Sequence, residues 1–441
     1  MTRREQRPIW FFRISSHALA FALALFALSL AAAPAAPAQT YTVLHTFYDG
    51  LDSGLPYGAL TMDRAGNLYG TADWSFECMG LEYCYGLVFK LSNRGQGWTF
   101  TALYSFAGGA DGANPFAGVT IGPDGALYGT TVNGGTYNYG TVFRLVPGAS
   151  FCRNVSCQWV KTTLHSFGGP NDGVYPYGGL TFDAAGNLYG TTAGGPSGPG
   201  SVFKLTRYGN SWTESVLWGF SGTDGANPYG NLVLDSAGNI YGTNFDGGYS
   251  SCYLGCGTVF ELTPNGNSWT ESILHYFQGG ADGDGPYAGL TFDNSGNLYG
   301  VTSANGPIGG GTVFELTASN GGWTYSVAYG LPGETSSEFP NPGPRGSLIV
   351  GPAGNLYGTT IMNGSQNLGT VFMLMPHNDG YEYTVLYNFC ADGYPCPEGA
   401  WPWAGVIRDS SGNLYGTGIA GGYYGGNCRV GGCGMVFELT P

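Results

Sequence analysis

A formal net charge of −14 over 441 residues, from 15 Lys and Arg against 29 Asp and Glu, disfavours a nucleic-acid partner, because such binding needs clustered basic side chains. Glycine is very frequent, at 79 residues, yet aromatics reach 15% and so argue for a packed chain rather than a disordered one. Beyond residue 40 no long helical pattern occurs, and an all-β fold is expected.

The chain opens like a secretory signal peptide. Arg3, Arg4, Arg7 and Arg13 form a basic start, Ala18 to Leu28 an apolar stretch, and Ala36-Pro37-Ala38 a small-x-small cleavage pattern. Residues 1–38 are therefore assigned to the signal, with Gln39 first in the mature chain; an uncleaved N-terminal anchor is the rival reading. No second apolar span of membrane length follows, so a secreted or periplasmic protein is expected.

Residues 39–441 are read as a single domain built on a repeat. Gly66-Asn67-Leu68-Tyr69-Gly70-Thr71 returns at Gly125, Gly186, Gly238, Gly296, Gly354 and Gly412, with spacings of 59, 61, 52, 58, 58 and 58 residues. One unit, Trp212 to Leu262, contains four short β-rich segments. Trp212–Phe220 alternates. A loop with Asp224-Gly225 leads to Asn231–Asp235, a tight turn at Ser236–Asn239 leads to Ile240–Thr243, and a Gly-rich loop leads to Gly257–Leu262. Seven units of four antiparallel strands point to a seven-bladed β-propeller. Pairs of small residues such as Gly58-Ala59, Ala117-Gly118 and Ala404-Gly405 mark the innermost strand, where the blades converge. The Trp-bearing strand is then outermost, with Trp98, Trp159, Trp212, Trp269 and Trp323 as packing residues. The strand 41–47 stands alone at the start, and Met435–Leu439 ends the chain with no outer strand after it. Their pairing would close the ring and remove two open edges.

The ten cysteines fall into close pairs: Cys78/Cys84, Cys152/Cys157, Cys252/Cys256, Cys390/Cys396 and Cys428/Cys433. Loop-closing disulfides fit an oxidising compartment. Metal thiolates are the weaker alternative, since the pairs are not CxxC and no histidines accompany them.

The run Gly-Asn-Leu-Tyr-Gly-Thr-Thr, a Gly-Gly loop, then Gly-Thr-Val-Phe-x-Leu resembles the GloVer (Gloeo/Verruco-type) tandem-repeat family of exported bacterial β-propeller-like proteins, over residues 41–441. The resemblance implies the fold and export but no biochemical activity. Family members vary in how they attach to the cell. Here the sequence stops at Pro441 without an anchor or sorting tail, which leads us to expect a released or periplasmic protein.

Loops leaving the second and outer strands should share one face, and ligand sites favour loops on a rigid scaffold. Asp111, Asp172, Asp224, Asp282 and Asp392 recur there in Asp-Gly pairs, while the sixth unit offers Glu334 and Glu338 instead. A carboxylate ring at the channel mouth could take Ca²⁺ or a cationic ligand through hard oxygens; alternatively each Asp caps its own turn. No other cofactor is indicated, and whether any metal binds is left open. The loop aromatics Trp74, Tyr137, Tyr139, Trp401 and Trp403 could stack on sugar rings or simply pack. No catalytic motif is present, and no catalytic residue is assigned. The expectation is a monomeric extracellular binding module for a glycan or a surface protein. The alternative is a glycan-active hydrolase or lyase with a carboxylate site at the channel mouth. If one unit breaks the repeat with chemistry of its own, the nearest candidate is the irregular Glu334 to Arg345 loop.

Overall fold

A computed structural model describes residues 39–48, 54–73, 85–93, 95, 97–148, 159–169, 172–194, 198–209, 211–248, 252–319, 322–333, 342–378, 380–391, 396–422 and 432–440. Seven four-stranded antiparallel sheets follow one another along the chain and form the seven blades of a β-propeller. In the third blade the strands run Thr181–Phe182, Leu188–Thr192, Ser201–Tyr208 and Ser211–Gly219, from the axis outward. The second strand is buried on both sides because neighbouring blades cover both faces, whereas the outer strand alternates.

Each residue of the repeated motif has a structural task. Asp183 accepts bonds from the backbone of Ala185 (2.9 Å) and Asn187 (2.8 Å), from the Asn187 amide (2.7 Å) and from the Tyr189 hydroxyl (3.0 Å). The carboxylate thus closes the hairpin turn and ties it to the next strand. Gly190 lies under the Phe203 ring, where a Cβ would come within 2.6 Å. The closing threonine laces blade to blade. Thr71, Thr243 and Thr359 donate to the carbonyls of Ala117 (2.9 Å), Ala288 (2.8 Å) and Ala404 (2.8 Å) on the next inner strand. The fifth copy carries Val301 instead, and the carbonyl the pattern sets opposite it is that of Gly346.

The inner strands pair over two residues only, as in Val233–Leu234, rather than over the five expected from Asn231 to Asp235. The small residues before them meet the neighbouring blade backbone to backbone: a Cβ on Gly230 would lie 2.5 Å from the Gly289 nitrogen. The outer tryptophans pack on the motif tyrosine of the preceding blade, as in Trp98 on Tyr415, Trp212 on Tyr128 and Trp323 on Tyr241.

The ring closes as expected. Strand Thr40–Thr46 pairs with Met435–Thr440, Phe47 N–H donates to the Gly434 carbonyl (3.0 Å), and Phe47 is fully buried. Tyr41 stacks on Tyr387 of the sixth blade at 3.9 Å. Disulfides join Cys252 to Cys256 and Cys390 to Cys396, with Cα separations of 5.3 and 5.0 Å, and Cys433 is disulfide-bonded as well. Cys78, Cys84, Cys152, Cys157 and Cys428 lie outside the described residues, as does the signal segment. Among the described residues no helix is long and apolar enough to cross a membrane.

Candidate functional site

The Asp-Gly loops and the Gly-rich loops do share a face. Isolated bridges join them at Ala113 to Asn133, Val174 to Gly194, Ala226 to Asp246 and Ala400 to Ala420. The aspartates, however, sit against the outer strands. Asp111 accepts from the Tyr104 hydroxyl (2.8 Å), the Ala107 N–H (2.8 Å) and Lys161 (2.9 Å). Asp172 bonds His165 (2.8 Å) and the Gly168 N–H. Asp224 accepts from the Ser221 N–H (2.7 Å) and hydroxyl (2.9 Å), and Asp282 from the Gln278 N–H (2.9 Å) with His275 at 3.1 Å. Each carboxylate caps its own turn and holds the outer-strand side chain at one repeated position. The glycine that follows is needed for its backbone: Gly112 has φ 98°, and a Cβ there would press on Thr131 at 2.7 Å.

None of these aspartates lines the axial channel. Two clusters of metal-ligand types occur among the described residues. Cys252, Cys256 and Asp284 form one, with both sulfurs already in a disulfide; His165, Asp172 and Glu214 form the other, within 4.8 Å of one another. Burial, and then the Asp172 charge, push the Glu214 carboxyl up to about 8. One blade on, burial and Asp224 do the same to Glu271, with Trp218 standing where His165 stands. The same place holds a cation at the preceding interface, where Lys161 pairs with Asp111.

The channel presents a different constellation. A cavity of ≈ 290 Å³ is lined by the inner strands of all seven blades. At the end where the Asp-Gly loops enter, one side chain per blade follows a proline: Tyr57, Phe116, Tyr177, Tyr229, Tyr287, Arg345 and Trp403. The aromatics form a continuous belt. Tyr57 stacks on Phe116 (4.6 Å) and Tyr229 on Tyr287 (4.9 Å), while Phe116–Tyr177 (5.4 Å), Tyr177–Tyr229 (5.3 Å) and Trp403–Tyr57 (5.2 Å) meet edge to face. Arg345 fills the remaining place, its guanidinium 4.1 Å from the Trp403 ring centroid and 5.3 Å from that of Tyr287. Burial pulls the guanidinium down from its usual value, with the Tyr287 and Tyr57 hydroxyls opposing, yet an arginine stays charged in proteins. Arg345 has no ion pair among the described residues. Its Nε and the Nε1 atom of Trp401 are buried donors without a partner, whereas the Trp403 indole N–H is directed at the Tyr287 hydroxyl. Burial, then Asp246, raises Tyr229 to about 12, so its hydroxyl keeps its proton.

Of the residues expected at a site, Trp403 belongs to this belt and Trp401 lies two residues before it. Tyr139 packs edge to face on Tyr175 (6.0 Å), and Tyr137 is exposed on its loop. Trp74, Asp392, Glu334 and Glu338 lie outside the described residues. The belt itself was not anticipated, although its signal stands in the sequence: seven prolines, each followed by an aromatic except at Arg345.

Among solved structures, the extracellular domain of an assigned one-component system protein, BT4673, from B. thetaiotaomicron is similar with a TM-score of 0.50 at 10% identity, over 91% of this chain and 40% of that one. An assigned 6-phosphogluconolactonase from Bacteroides uniformis ATCC 8492 gives 0.48 at 13% identity, over 79% of this chain and 95% of that one. A protein of unknown function from Dyadobacter fermentans DSM 18053 gives 0.43 at 12% identity, over 92% and 99%. At such identities the first likeness is one of fold alone, and the other two carry no argument. Comparison with curated proteins finds no match. The Gloeobacter/Verrucomicrobia repeat matches residues 32–156 and 155–343, well over half of the chain, and the protein belongs to that repeat family.

Proposed function

We propose that this is an exported binding module that takes a glycan, or a glycan-bearing surface partner, at the loop-face end of its axial channel. The observation that carries this reading is the aromatic belt around a cavity of ≈ 290 Å³, with the Arg345 guanidinium seated among its rings. Aromatic faces suit the C–H faces of a sugar ring, and the Arg345 guanidinium suits its oxygens. Loops beside this end supply an approach surface, since Tyr253 is 99% exposed and Leu254 and Ile308 are exposed as well. Export rests on the signal-like start and agrees with the disulfides.

A glycan array followed by calorimetry and product analysis tests the proposal. Binding without turnover is expected, and Trp403→Ala should weaken it about tenfold or more, as for an interface anchor. Binding that ignores this substitution in a variant of unchanged Tm would move the site elsewhere. Release of products would instead favour a glycan-active enzyme.

A further inference from the structure

The belt has one member that breaks its rule, and the break is chemical. Six of its seven places hold aromatics, and a guanidinium holds the seventh. Arg345 is the one charged side chain among the residues lining the cavity. A half-buried cation needs a partner, and here the partners are two ring faces, with Nε left unbonded. Ring faces compensate such a charge only in part. The repeat also departs at the same blade junction in a second way. Val301 replaces the threonine that would otherwise lace the fifth blade to the Gly346 carbonyl, immediately after Arg345. Ser347, two residues along the same strand, adds a hydroxyl to the cavity wall where five of the other blades have Gly or Ala and the fourth has Asn231.

Resting on the binding reading above, we infer that the axial site selects a sugar carrying a carboxylate, that is, a uronate unit. The planar fork of Arg345 matches a carboxylate in two parallel bonds. The belt supplies aromatic rings on which the pyranose ring can pack, and Ser347 supplies a hydroxyl to one of its oxygens. The volume, ≈ 290 Å³, lies at the small end of ligand pockets and suits one sugar unit. The overall charge of −14 repels anions, so an anionic ligand needs a local cation such as this one.

The test is calorimetric titration of the mature protein and of Arg345→Tyr. That substitution restores the residue found at four other belt positions and so should fold. Probes are free glucuronate and galacturonate, short oligomers of each, the parent neutral sugars, acetate, and inorganic phosphate and sulfate. The uronates should bind the natural protein at least about tenfold more tightly than their neutral parents, the scale of one charge-assisted bond pair. Arg345→Tyr should erase that preference, bringing the uronates to the affinity of their neutral parents in the same variant. Tighter binding of oligomers than of free uronate would identify a polymer as the source, and equal binding a free sugar acid; both support the inference. Equal affinity for uronate and neutral sugar would overturn the inference and leave the binding reading standing. So would a preference that survives Arg345→Tyr, or stronger binding of phosphate or sulfate. Absence of binding to every sugar would overturn both.

Discussion

Glu214 and Glu271 hold the same place in consecutive outer strands, Ser211–Gly219 and Ser268–Tyr276, each facing an aspartate of the adjoining loop. Burial and that neighbouring charge raise both carboxyls from 4.5 to about 8. Between those values the folded protein keeps protons that the unfolded chain has released. Their contribution is therefore complete below pH 4.5 and is lost as pH rises toward 8. The double variant Glu214→Gln, Glu271→Gln should flatten this fall in Tm, read in melts at pH 4.5, 6.5 and 8.5; parallel profiles for variant and parent would refute the account. Lys161 shows the opposite solution to the same position. Burial raises the Asp111 carboxyl, but bonds from the Ala107 N–H and Lys161 outweigh it and hold Asp111 below its ordinary value. Val301 offers a gain at this scale. Val301→Thr should restore the missing link to the next blade and raise stability by about 1 kcal/mol, measured by urea unfolding.

At the scale of strands and turns, most of the architecture was legible because each repeated residue serves a repeated contact. The Asp-x-x-Gly-Asn turn and the closing strand both follow from the repeat pattern, whereas the glycine under a phenylalanine ring shows only in the structure. The Asp-Gly loops were legible as turns and as sharing a face. Their distance from the axis was not, because it depends on bonds to outer strands that include long-range ones, such as Lys161 to Asp111 across 50 residues, which spacing does not reveal. The closing strand carries a direct prediction. Deleting residues 39–47 removes Phe47, whose fully buried ring is worth about 3 kcal/mol by itself, and reopens the last blade. The Tm of the deletion variant should fall sharply, and an unchanged Tm would contradict the closure.

Over the whole molecule, the site emerges only when the seven blades are laid around one axis. Trp403 looks like an isolated loop aromatic in the chain, and Arg345 looks like the end of an irregular loop. The ring makes them neighbours at 4.1 Å. The column after each proline carries this signal, with Arg345 as its one non-aromatic member. The closed ring also bears on how the chain finds its fold. Bonds from the motif's closing threonine to the next blade join residues 39 to 48 apart, whereas the one across the seam, Thr417 to Gly58, spans 359. Blades can therefore assemble in succession through short excursions of chain, with one long excursion at the end. Stretching a loop about eightfold adds roughly 2 kcal/mol of closure entropy. The seam is thus the contact that forms against the greatest topological resistance, and the first place at which the circle would be expected to reopen.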